Sequence, residues 1–147
     1  MSEIPAHAAA LSQTLMDHAY QRYMGVELLE QRAGFCRTGL TVTEAIDNLG
    51  HTLHGGVIYS MMDVTSMLAT LPALSESEYA LTTALSVNLM SPAPRGMRVE
   101  FQAEILRAGR TAVFTLCHAY KCPTAADHRL IATAQLSKSR FQRELPG

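Results

Sequence analysis

The residue pattern predicts an α+β domain in which one antiparallel sheet curls around one buried helix. Three observations lead there. Between Asn48 and Ser75 only Asp63 carries a formal charge, and apolar residues cover nearly every direction of a 3.6-residue wheel, as in a helix enclosed by other elements. Met97, Val99, Phe101, Ala103 and Ile105 alternate with Arg98, Glu100, Gln102 and Glu104, the period of a strand with one wet face. The elements follow as helix, two strands, long helix and four strands, an order that segregates helix from sheet.

Leu11, Leu15, Ala19 and Tyr23 recur every four residues, which predicts a short amphipathic helix over about residues 8–23, ending before Gly25. Apolar and β-branched positions flank Ala33-Gly34, so two antiparallel strands are expected between Gly25 and Thr43, the second near Phe35–Thr43. The buried helix has Gly55-Gly56 at its start and Pro72 at its end. No charge falls between Glu78 and Arg95, and Leu81–Leu89 is expected to be a strand covered on both faces, broken by Ser91-Pro92-Ala93-Pro94. The alternating strand then turns at Ala108-Gly109-Arg110 into Thr111–Lys121. A looser loop, Cys122–His128 with Pro123, leads into Leu130–Ser139.

The 147 residues suit a single domain of about 150 residues, with no internal repeat. Hydrophobic residues make up 48% and charged residues 17%, a low charge content that suggests extra buried surface, such as a subunit interface. The net charge of −1 lacks the basic footprint of a nucleic-acid binder. Charge is nevertheless divided: residues 1–94 hold three basic against nine acidic side chains, and residues 95–147 hold nine against four. Cys36, Cys117 and Cys122 are odd in number and form no C-x-x-C pair, which fits buried thiols in a reducing compartment. Neither a leader pattern nor a run of about 18 apolar residues is present, so a cytoplasmic protein without a membrane anchor is expected.

Asp63 is the informative residue, because a carboxylate within an apolar helix needs partners or a reason. The plain explanation is a bond to Thr65 or Ser66, or a solvated interface. At the start of the same helix, His54-Gly55-Gly56 lets a ligand approach N–H groups at the positive end of the helix dipole, where amides can stabilise an oxyanion. Asp63 lies eight residues beyond Gly55, roughly 12 Å along an ideal helix, too far for one carbon to touch both. Two helices antiparallel across a two-fold axis close that gap, so an obligate homodimer with sites at its interface is expected. Metal is not expected: His51 and His54 lack the third ligand that zinc requires.

Asn48, six residues before His54, His54-Gly55-Gly56, Asp63 nine after the histidine, and the strand ending Asn88-Leu89-Met90-Ser91-Pro92 together resemble the hotdog-fold acyl-CoA thioesterases of the phenylacetate-degradation type, over roughly residues 24–140. The family often reads N-x-x-G-x-x-H-G-G; here His51 takes the usual glycine place and the glycine is Gly50. The resemblance implies the hotdog fold, dimers and often tetramers, and hydrolysis of an acyl-CoA substrate without a cofactor. It makes Asp63 the general base or nucleophile and the Gly55 amide the oxyanion donor. His54 and Asn48 would orient thioester and water, and Thr82 would position the water. Gly56, Met90 and Ser91 would line the substrate site, while Arg110, Ser137, Lys138 and Arg140 would meet the phosphates or pantetheine of CoA. Duller roles compete: an Asx-turn for Asn48, a helix-terminal histidine for His54, ordinary strand packing for Thr82. A non-catalytic acyl-CoA sensor is the alternative function, though 147 residues are expected to leave no room for a DNA-reading segment. A hydratase would need D-x-x-x-x-H, and Asp47 to His51 is one residue short.

Overall fold

The computed structural model describes residues 3–144. The N-terminal segment differs from expectation in forming two helices, α1 (Ala6–Met16) and α2 (Ala19–Met24). His18 between them is extended, at φ −62° and ψ 146°, and its Nδ1 is 2.7 Å from the Thr14 carbonyl oxygen. The break redirects the chain, so that Gln21 and Met24 are buried while Tyr23, the last member of the four-residue stripe, is exposed. Gly25 ends α2 in the left-handed region at φ 68°, where glycine carries no Cβ penalty.

Six strands follow: β1 (Glu27–Arg32), β2 (Phe35–Thr41), β3 (Glu78–Leu89), β4 (Arg98–Ala108), β5 (Ala112–Thr124) and β6 (Asp127–Gln142). They form one antiparallel sheet in the order β1-β2-β4-β5-β6-β3. The β5–β6 connection is tighter than the expected loop. The register shifts between Lys121 and Thr124, across Pro123, which has no N–H to give a ladder; pairing resumes at Thr124 and Asp127, leaving only Ala125-Ala126 as the turn.

Helix α3 (Gly55–Thr70) runs on into a 3-10 turn, Leu71–Ala73, that contains Pro72. Ten of its sixteen residues are buried, which is why the sequence shows no polar face. The helix touches all six strands. Six strands at about 4.8 Å spacing are wider than a helix of about 10 Å, so the sheet must curl around it. Leu40, Val99, Phe101, Ile131 and Leu136 close the core against Met61, Met62 and Leu68. This is the α+β hotdog fold expected from the sequence. The three cysteines are free and buried, and burial pushes the Cys117 thiol up to about 12. No helix of the described residues is long and apolar enough to cross a membrane.

Strand β3 departs from expectation. Pairing with β6 on one side only, it ends the sheet, and Leu81 (54%), Leu85 (40%) and Leu89 (46%) are exposed. The charge-free stretch Leu81–Leu89 is therefore not covered on both faces by the described residues. An open apolar edge of this kind is a template for pairing with another chain.

The lower end of β3 is tied to β6 by an ion pair: Arg140 Nη2 and Nε donate to the Glu78 carboxylate at 2.7 and 3.0 Å, and Ser75 N–H donates at 2.9 Å. These donors, led by Arg140, hold the Glu78 carboxyl at about 2 instead of near 4.5. A depressed folded-state pKa contributes stability above the unfolded value, lost as pH falls through the folded one. Resistance to urea should therefore fall between pH 4.5 and 2 more steeply for the wild type than for Glu78→Gln; parallel curves would show that the pair contributes nothing.

Candidate functional site

Asp63 sits midway along α3 with its side chain 42% exposed. Neither Thr65 nor Ser66 bonds it: Thr65 donates to the Met61 carbonyl, and its hydroxyl lies 2.7 Å from that of Thr38. Its partners come from the sheet. Thr82 Oγ1 on β3 donates to Asp63 Oδ1 at 2.5 Å, and Lys138 Nζ on β6 donates to the same oxygen at 3.0 Å. Lys138 also donates to Thr82 Oγ1 at 2.8 Å, closing a triangle. Asp63 Oδ2 has no hydrogen-bond partner among the described residues. Register explains the meeting, because Thr82 pairs with Lys138 across β3 and β6.

Lys138, expected at a phosphate or the pantetheine of CoA, is fully buried, its ammonium directed at Asp63. Burial pulls its pKa down, and attraction to Asp63 opposes the shift. The alternation of Ala132, Ala134, Leu136 and Lys138 along β6 carried the signal, since period two puts all four on the inward face. Arg140, two residues further, is likewise directed at Glu78 and at the Gly109 and Ala73 carbonyls, which take four of its five guanidinium N–H donors.

At the start of α3, His54 is the N-cap, and its Nδ1 accepts from the Gly56 N–H at 2.9 Å. An accepting Nδ1 leaves the proton of the neutral ring on Nε2. A Cβ on Gly56 would lie 3.0 Å from His54 Nδ1, so glycine is what admits this cap. Val57 and Ile58 N–H groups bond the His54 carbonyl, whereas the Gly55 N–H has no acceptor among the described residues. It is an unspent donor at the positive end of a sixteen-residue helix.

Asn48 is exposed and makes an Asx-type loop: its Oδ1 accepts from Gly50 N–H at 3.0 Å and from Thr52 N–H at 3.1 Å. His51 adopts φ 57°, the left-handed region that explains why a glycine commonly stands there. Arg95 stabilises it, with Nη2 2.9 Å from His51 Nδ1 and 2.7 Å from Asp47 Oδ2. An open basin of about 840 Å³ is lined by this loop, by Glu44 and by His54; Asp63 does not line it. Met90 is exposed at the end of β3, and Ser91 Oγ accepts from Lys121 at 2.9 Å. Arg110 is exposed at the β4–β5 turn, and the Ser137 carbonyl accepts from Thr83 Oγ1 at 3.2 Å. One chain thus joins Asp63, Thr82 and Lys138, and separately His54, Gly55, Gly56 and Asn48.

Donor atoms of Glu100, Cys122 and His128 lie within 4.8 Å of one another, a grouping hidden from sequence because three different strands supply it. Glu100 there already accepts from Arg37 at 3.1 Å.

A family model described as the thioesterase superfamily matches residues 50–137. A provisionally named esterase of Deinococcus radiodurans is 33% identical over 93 residues, covering 63% of this chain and 61% of that protein. A similar Saccharolobus solfataricus protein is 26% identical over 92 residues, so the matches span less than two thirds of these relatives' lengths. Among solved structures, a thioesterase family protein of Silicibacter pomeroyi superposes with TM-score 0.85 at 21% identity, covering 93% of this chain and 99% of that one. The E. coli PaaI protein from the phenylacetic acid degradation operon gives 0.75 at 18%, covering 91% and 93%.

The cap geometry predicts that His54→Ala lowers unfolding stability by about 1 kcal/mol, while His54→Asn, which restores an N-cap acceptor, does not. Urea midpoints read this directly, and equal losses in both variants would rule out the cap.

Proposed function

The chain belongs to the thioesterase superfamily, and from that premise we propose that it hydrolyses the thioester of an acyl- or aryl-CoA to the free acid and CoA. The observation that carries this reading is the half-exposed Asp63 carboxylate, with Oδ1 held by Thr82 and Lys138 and Oδ2 free. In one course Oδ2 takes a proton from a water whose oxygen attacks the thioester carbon. In the other Oδ2 attacks that carbon itself, and water hydrolyses the resulting anhydride. Both break the C–S bond and release CoA as a thiolate that takes up a proton. The Gly55 N–H receives the carbonyl oxygen as its charge develops, a contribution of about 3 kcal/mol in comparable hydrolases.

Two copies make each site in this reading. The Gly55 end of one α3 meets Asp63 of the other, because one helix separates them by roughly 12 Å. The open β3 edge with Leu81, Leu85 and Leu89, and a fully exposed Leu49 beside the basin, support a two-fold dimer. Thr82 positions Asp63, and His54 and Asn48 border the approach of the thioester through the basin they line. Met90 and Ser91, just beyond the end of β3, line the substrate site in this reading. Arg110 is the exposed cation proposed for a CoA phosphate.

Thiol release from a panel of acyl- and aryl-CoA esters should fall roughly 10²- to 10⁴-fold in Asp63→Asn. Binding without release by the wild type would instead identify an acyl-CoA sensor. Mixing Asp63→Asn with Gly55→Val under subunit exchange should restore about a quarter of wild-type turnover, since half the dimers then carry one intact site of two. No recovery would place each site within a single chain. Arg110→Ala should raise KM for CoA esters and leave pantetheine thioesters nearly unchanged; equal effects on both would remove Arg110 from the phosphate site.

A further inference from the structure

We propose that Lys138 is a positioning residue for the hydrolysis, its ammonium fixing Asp63 through Oδ1 so that Oδ2 alone meets the water or the thioester carbon. The inference rests on the reading of Asp63 given above and assigns the group that aims it. Lys138 is 0% exposed and donates to Asp63 Oδ1 at 3.0 Å and to Thr82 Oγ1 at 2.8 Å, while Thr82 donates to the same Oδ1 at 2.5 Å. Two donors converge on one oxygen and none on the other, which orients the carboxylate plane and leaves one oxygen for chemistry. Thr82 alone cannot do this as firmly. A hydroxyl turns about its Cβ–Oγ bond, and here the ammonium occupies its lone pair and directs its proton to Asp63.

The arrangement also gives Lys138 a signature of its own. Burial lowers its pKa, and the groups facing it are Asp63 from α3, Thr82 from β3 and Cys117 from β5. Thr82 does not titrate in the accessible range, and the Cys117 thiol, pushed up to about 12, stays neutral through it. Once Lys138 loses its proton the clamp becomes an amine with weaker donors. Turnover should then decline on an alkaline limb that begins below the ordinary lysine range.

The chain contains only two lysines, Lys121 and Lys138. Protein labelled with ¹³Cε-lysine therefore gives two side-chain signals, and Lys121→Arg identifies that of Lys138. The expected result is that the alkaline limb of wild-type kcat/KM, corrected for spontaneous hydrolysis, coincides with the Lys138 titration. In Asp63→Asn that titration should move to lower pH, because the attraction that raises it is gone. Lys138→Met should lose about 10- to 100-fold in kcat, with KM little changed and the alkaline limb absent. The comparison of wild-type kinetics with the titration needs no variant, so it stands even if Lys138→Met does not fold. A wild-type profile that runs level through the Lys138 titration overturns the proposal, as does a folded Lys138→Met with wild-type kcat and limb, in either case with Asp63→Asn inactive. An Asp63→Asn enzyme as active as the wild type overturns the functional reading itself, and this inference with it.

Discussion

A buried ammonium and a half-exposed carboxylate, 75 residues apart in sequence, set the position of everything around them. Lys138 has no exposure to water, so its charge must be met inside the protein, and leaving such a charge unpaired costs roughly 3 kcal/mol or more. Only a helix rotated to aim Asp63 at β6, and a β6 register that faces Lys138 inward, satisfy both groups. A slip of one residue in that strand would carry Lys138 to the outer face and strand Asp63 beside apolar neighbours. The register irregularity between Thr82 and Ala84 on β3 accompanies the same arrangement, in which Thr82 stays opposite Lys138. Helix, penultimate strand and edge strand are thus fixed to one another at the point where chemistry is proposed.

The same device recurs two residues along β6, where Arg140 reaches Glu78, the first residue of the edge strand. Among the described residues β3 has a neighbour on one side only, and the Arg140–Glu78 ion pair and the Lys138–Thr82 hydrogen bond supplement its ladder to β6. Its remaining surface is apolar and open. Among the described residues nothing covers that face, and the helix start, whose Gly55 N–H has no acceptor among them, adjoins a basin that Asp63 does not line. In the proposed function both features are met in the same way, by a second copy across a two-fold axis. That geometry connects the low charge content of the chain to the proposed site.

The loop before α3 shows how local strain serves the site. His51 holds a left-handed backbone that few side chains adopt without support, and Arg95 with Asp47 supplies it. Asn48 spends its carbonyl oxygen on the loop's own N–H groups, and His54 spends Nδ1 on Gly56. What stays unspent is the Asn48 amide's remaining donor capacity, the proton on His54 Nε2 and the Gly55 N–H. These are donors, the polarity suited to a thioester oxygen.

Periodicity and punctuation determined the fold class by themselves: the charge-free helix, the alternating β4, the turns at Gly34 and Gly109, and the order of elements are local properties of neighbouring residues. The His54-Gly55-Gly56 start and the solitary Asp63 were equally legible, because a charge in an apolar helix and paired glycines at its N-terminus stand out against their own surroundings. Tertiary structure decided what pairs with what. That β3 lies at the edge beside β6, and that Lys138 and Arg140 turn inward to carboxylates instead of outward to phosphate, both depend on strands and helices distant in sequence. A side chain's electrostatic partner is chosen by register and helix rotation, and those are settled only when the whole core closes.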